Sequence, residues 1–467
     1  VPAIKDASMT TLTCISPIDG SVFATRETLG LEAARDAIAE TRAAQGAWAA
    51  RPLSERIALV RAGVAAVGAM NDEIVPELAH MMGRPVRYGG EFRGFDERAS
   101  HMAAIAEEAL ADLVVGEDAQ FRRYIRRVPQ GVVFVVAPWN YPYITAINTV
   151  APALIAGNAV VLKHATQTLL VGERMARAFH AAGVPEAVFR NVFLDHDTTA
   201  TLIGEGQFDF VNFTGSVGGG QAMERAAAGT FTGLGLELGG KDPGYVMEDA
   251  DLDAAVETLI DGAMFNSGQC CCGIERIYVH EGLYEPFVEK AVALVRGYRL
   301  GNPLDPETTI GPMANKRFAA EVRAQIGEAL EMGATAHIET FPQDDGGCYL
   351  TPQILTGVSH AMRVMRDESF GPVVGIMPVS GDAEAIGLMN DSPFGLTASL
   401  WTADIDRAAR VGDAIETGTV FMNRADYLDP GLCWTGCKQT GRGGALSVIG
   451  YHNLTRPKSY HLKKVTT

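Results

Sequence analysis

The stretch GVVFVVAPWNYPYITAINTVAPALIAGNAVVL, residues 131–162, decides the fold. It opens on a short β-branched run, Gly131 to Ala137, of the kind that is buried on both faces of a sheet. A helical stretch follows from Ile144 to Ile155, then a second apolar run from Ala159 to Leu162. Strand, helix and strand of these lengths form a βαβ unit, whose two strands must lie parallel. Downstream the pattern predicts a helix from Thr168 to Ala181, a strand from Asn191 to Leu194 and another from Phe208 to Phe213. After Lys241 the alternation starts again. A strand Gly244 to Met247 precedes a helix Leu252 to Met264, and a strand Arg276 to Val279 precedes a helix Tyr284 to Val295. The reading is therefore α/β, with two α/β domains in series and a junction at Gly239-Gly240. Upstream, the first hundred residues read as helices, among them Leu31 to Ala50, one opened by Pro52, and Glu91 to Leu113. The tail Ser459 to Val465 reads as a lysine-bearing edge strand, which pairing with another subunit would cover.

The 467 residues are 47% hydrophobic and carry a net charge of −17. Such a surface repels phosphate backbones and anionic lipid, so neither nucleic acid nor membrane is expected as the partner. No charged-then-apolar leader and no run of about 18 apolar residues is present, and the expected location is cytoplasmic. The seven cysteines are odd in number and irregular in spacing, with no CxxC pair. That pattern is neither a disulfide framework nor a zinc site, so free thiols and no metal are expected.

Two segments carry chemistry: LELGGK, residues 236–241, and FNSGQCCC, residues 265–272. A cysteine attacks as its thiolate. Addition to an aldehyde gives a thiohemiacetal, loss of hydride gives a thioester, and hydrolysis of that thioester needs a base to activate water. One cysteine and one carboxylate therefore suffice. Glu237, in an otherwise apolar strand between glycines, is a costly place for a carboxylate without a task or a partner.

These segments resemble the signatures of the aldehyde dehydrogenase superfamily. Glu237-Leu238-Gly239-Gly240-Lys241 matches one signature and Gly268-Gln269-Cys270-Cys271 the other. Cys271 follows Glu237 by 34 positions (271 − 237). The resemblance implies Cys271 as nucleophile and Glu237 as base, with Asn140 of the segment Pro138 to Pro142 in the oxyanion hole. It implies an aldehyde substrate and NAD or NADP, held by Trp139, Lys163, Thr166, Gly215, Ser216, Leu238, Glu368 and Phe370. Lys163 is counted among the catalytic residues as well. The loop at Gly215 and Ser216 opens a helix, whose first N–H groups suit a pyrophosphate, although GxGxxG is absent. The substrate pocket is expected from Tyr141, Thr145, Cys270, Cys272, Leu428 and Trp434, with Arg424 close by in sequence. Residues 1–111 and 130–239 would form the dinucleotide-binding domain and 240–450 the catalytic domain. A small β oligomerisation element, 112–129 with 451–467, would build a homodimer or homotetramer.

At the position where many NAD-preferring members have Glu, this chain has Thr166. A Glu would repel the 2′-phosphate of NADP, so acceptance of NADP is expected. Glu237 favours hydrolysis to a free acid over transfer to a thiol. Two other functions compete: a semialdehyde-specific dehydrogenase, with Arg424 meeting a substrate carboxylate, and a Cys271-dependent esterase or hydrolase. A non-catalytic protein of the same fold is the third. The thiols of Cys270, Cys272 and Cys433 are expected near Cys271, where an oxidant could link them.

Overall fold

A computed structural model describes residues 9–425 and 427–465. The ends 1–8 and 466–467, which belong to the expected first domain and tail, lie outside the described residues. Every residue of the strand Val132–Ala137 is buried. Its side chains alternate between two cores. Val133, Val135 and Ala137 enter one, and Val132, Phe134 and Val136 enter the other. This is the period-two pattern of a strand covered on both faces. The helix Pro142–Ala156 follows, with Pro142 in its first turn and Gly157 (φ 95°) ending it in the left-handed conformation.

The strand lies inside a six-stranded sheet ordered Gly441–Arg442, Gly233–Glu237, Phe210–Thr214, Val132–Ala137, Ala159–His164, Phe189–Asn191. All neighbours are parallel except Gly441–Arg442, which pairs antiparallel with the edge at Leu236 and Glu237. From Val132–Ala137 the chain builds outward on one side, then returns to build on the other. The carboxyl ends of Val132–Ala137 and its two neighbours therefore enclose the crevice where open α/β sheets bind ligands. A second, seven-stranded sheet is ordered Thr335–Ala336, Gln353–Thr356, Val373–Val379, Ile274–His280, Asp242–Val246, Thr397–Trp401, Thr419–Met422. It too is sandwiched: Tyr245 and Tyr278 face one core, while Val246, Ile277 and Val279 face the other. The fold is α/β, as the alternation predicts.

Three readings need correction. The first hundred residues are not all helical, because Thr11–Ile15 and Val22–Glu27 form an antiparallel hairpin before the helix Leu31–Ala49. The strand expected at Asn191 to Leu194 is Phe189–Asn191. Asp195 caps the helix His196–Gly204 through the Thr198 N–H, so the chain leaves the sheet early, and Val192 and Leu194 pack apolar core instead. The tail is not a lone strand. Thr455–Lys463 pairs with Phe121–Pro129 of its own chain, which in turn pairs with Leu113–Glu117. No helix among the described residues is long and apolar enough to cross a membrane.

Candidate active site

The helix Leu252–Met264 gives way to a turn in which Asn266, Ser267 and Gly268 all have positive φ, at 55°, 56° and 69°. Two successive non-glycine residues there are strained, and such strain persists only where the surroundings hold it. The Ser267 hydroxyl donates to Gly311 O at 2.8 Å, and Asn266 Nδ2 donates to Gln269 O at 3.2 Å. Gln269 Nε2 donates to Asn266 O at 3.0 Å while its Oε1 accepts from Ala314 N at 2.8 Å. Only glycine fits at 268, where a Cβ would stand 2.2 Å from the Gly371 carbonyl. The turn delivers Cys271, half-buried, to a cavity wall, and leaves Cys270 and Cys272 buried on either side of it in the chain with their sulfurs 3.5 Å apart. The Cys270 thiol is pushed up to about 12, first by its hydrogen bond with Cys271, so it keeps its proton beside Cys271. Cys433 is half-buried and is not on that wall.

Glu237 closes the strand Gly233–Glu237 and faces the same cavity, which has a volume of about 530 Å³. Thr214 Oγ1 donates to its carboxylate at 3.3 Å. Burial pushes the carboxyl up to about 7, against hydrogen bonds from Thr214 and Asn212 and the positive charge of Arg98. Its segment can lie against Cys271 because residue 240 is glycine: a Cβ there would be 2.7 Å from Cys271 O. Tyr141, Thr145, Cys270, Cys272, Leu428 and Trp434 also line the cavity. So does Leu238, which the sequence places with the cofactor.

Two buried ion pairs brace this arrangement, and of their four members the sequence reading singled out only Lys241, as part of its motif. Arg84 Nη1 donates to Glu91 at 2.5 Å, and Arg84 Nη2 donates to Asn140 O at 2.6 Å. The other Glu91 oxygen accepts from the N–H groups of Tyr143 and Ile144, capping the helix Pro142–Ala156. Arg84 thus fixes the backbone of Asn140, whose side chain is buried but is not among the cavity-lining residues. Lys241 Nζ donates to Glu275 at 2.6 Å and to Ser369 Oγ at 3.0 Å, and Glu275 accepts from the N–H groups of Ser369 and Phe370. This pins the segment 368–370 against the segment 237–241. No spacing rule foretells either pair, since Arg84 and Glu91 lie in one irregular connection between helices and Lys241 and Glu275 are 34 positions apart.

The residues expected to hold a dinucleotide gather at the strand ends of the crevice. Lys163 ends the strand Ala159–His164, and Thr166 lies exposed just beyond it. Burial lowers the Lys163 ammonium to about 8, with Asp195 as the charge that supports it, and among the described residues no carboxylate bonds to it. A phosphate or ribose suits such a cation. Ser216 caps the helix Val217–Ala227, its Oγ accepting from Gly219 N at 3.2 Å, so the helix N-terminus opens beside Gly215. Glu368 accepts from Gly240 N at 3.1 Å, and burial, then repulsion from Glu275, push its carboxyl up to about 8. Trp139 meets Phe370 edge-to-face at 5.4 Å. A Cβ at Gly239 would strike the Glu368 carboxylate at 2.3 Å. The donors, the helix end and the bare backbone fit a dinucleotide.

Known proteins are similar to this chain over most of its length. A 2-hydroxymuconic semialdehyde dehydrogenase of Pseudomonas putida is 32% identical over 457 residues, covering 94% of each chain. A succinate-semialdehyde dehydrogenase (NADP+) of Mycobacterium avium is 34% identical over 361 residues, 77% of this chain and 76% of that one. The crystal structure of succinate-semialdehyde dehydrogenase from Burkholderia pseudomallei superposes with a TM-score of 0.93 at 31% identity, covering 97% of this chain and 94% of that one. The family model described as the aldehyde dehydrogenase family matches residues 4–460, and the chain belongs to that family.

Proposed function

We propose that this protein oxidises an aldehyde to the free carboxylic acid, with Cys271 as nucleophile, Glu237 as base and NAD or NADP as oxidant. The observation that carries the reading is the shared cavity wall, where Cys271 and Glu237 meet at the end of a parallel sheet. The Cys271 thiolate adds to the aldehyde carbon. The Cys270 thiol, which holds its proton, donates to that sulfur. Asn140, its backbone fixed by Arg84, and the Cys271 N–H are the donors assigned to the developing oxyanion. The dinucleotide, when bound, accepts the hydride. Glu237, whose carboxyl sits near neutrality, then takes a proton from water as the hydroxide attacks the thioester, and the thiolate leaves.

Lys163, Gly215, Ser216, Glu368 and Phe370 are assigned to the cofactor. Thr166 supports NADP acceptance, as does the NADP in the name of the mycobacterial relative. The names of the relatives also support a semialdehyde among the substrates. The chain assembles as a homodimer or homotetramer through its three-stranded sheet and works in the cytoplasm. The test is reduction of NAD and NADP by a panel of aldehydes, with the product identified. A free acid and a kcat/KM with NADP at least equal to that with NAD are expected. Release of product without cofactor reduction would leave a hydrolase, and near-absolute NAD dependence would remove the role given to Thr166.

A further inference from the structure

We infer that the cavity takes an aldehyde bearing a second, anionic group, a carboxylate, and that the Arg98 guanidinium in its wall is the anchor. The inference rests on the aldehyde-oxidising reading and names its substrate class.

Arg98 lies on the helix Phe92–Ala109 and is 8% exposed, yet it lines the cavity. Its Nη1 donates to Ile144 O at 3.1 Å and to Asn148 Oδ1 at 3.3 Å. Both acceptors are neutral. Among the described residues no carboxylate is hydrogen-bonded to Arg98. A buried cation in this state is costly unless an anion completes it. The negative groups that reach it electrostatically are committed elsewhere. Glu91 is held by Arg84 and by two N–H groups. Glu237 must be free to take a proton from water, the Cys271 sulfur is the nucleophile, and the Cys272 sulfur lies 3.5 Å from that of Cys270.

The rim repeats the sign. The charged described residues lining the cavity are Arg93, Arg98, Arg424, Glu97 and Glu237. Glu97 is engaged by the Tyr427 hydroxyl at 2.6 Å. A chain of net charge −17 thus presents three arginines around one opening, which draws small anions inward. Arg424, the residue the sequence suggests for a carboxylate, is exposed, and its guanidinium lies 3.6 Å from the centroid of the Tyr427 ring. Arg98 is the deeper of the two, it stacks on no ring among the described residues, and its guanidinium fork matches a carboxylate.

The test compares 4-oxobutanoate and 5-oxopentanoate with butanal and pentanal, by kcat/KM. The wild type should prefer the anionic aldehydes by about 10- to 100-fold, the worth of a charge-assisted contact. R98M should erase that ratio through KM, and R98K should recover part of it. A role confined to structure or to tuning Cys271 and Glu237 would lower all four substrates together and keep the ratio, overturning the inference. A wild type without preference would overturn it as well. Should R98M fail to fold, inhibition of the wild type decides: succinate must compete with butanal at least tenfold better than succinamide. Should no aldehyde be oxidised, the enzyme reading falls, and calorimetry of succinate against succinamide still decides whether the anchor exists.

Discussion

At the scale of single residues, the account rests on one sulfur and one carboxylate whose surroundings set their proton states. Glu237 is raised to about 7, first by burial. Its basic form is scarce below that value and abundant above it. Hydrolysis of the thioester should therefore climb with pH through about 7 and then level off. Steady-state kcat measured from pH 5.5 to 9 should show this inflection, and E237Q should lose both the inflection and about 10²- to 10⁴-fold in rate. The residues proposed as nucleophile and base, Cys271 and Glu237, stood out in the sequence because short motifs mark them, and the structure has both lining one cavity. Arg98 did not stand out. An arginine on an Ala-rich helix reads as a solvated face, and only the packing of that helix against Pro142–Ala156 turns it into a cavity wall.

At the scale of elements, the turn before Cys271 is the part under most constraint. Gly268 has a positive φ and no space for a methyl group. Gly268→Ala should destabilise the protein by about 3 kcal/mol through backbone strain and overpacking. Urea unfolding would read this as a lower midpoint with an unchanged slope. The βαβ elements were legible because fully buried strands are continuous apolar runs. The hairpin Thr11–Ile15 with Val22–Glu27 was not, since its strands are mostly half-exposed and carry no such run. The return of Gly441–Arg442 to the edge beside Glu237 was hidden as well. Two residues have no periodicity, and their partner lies two hundred positions upstream.

At the scale of the whole molecule, two sandwiched sheets bring the crevice at the strand ends and the turn before Cys271 against each other. The tail strand pairs within its own chain on one side only, so the small sheet has two open edges, the tail and Leu113–Glu117, and the second is the more apolar. Its Leu113, Val114 and Val115 are 64%, 70% and 62% exposed. An apolar edge of this kind is a pairing surface. Sedimentation should give two or four times 49.7 kDa, and Val114→Glu should shift the protein toward monomer. The joining of nucleophile and base on one wall bears most directly on the chemistry, and intact-protein mass spectrometry tests it. After E237Q is mixed with an aldehyde and NADP, a one-acyl adduct should accumulate and map to Cys271, with about one equivalent of reduced cofactor released. An E237Q protein that turns over like wild type with no adduct, or an adduct on another cysteine, would contradict the account.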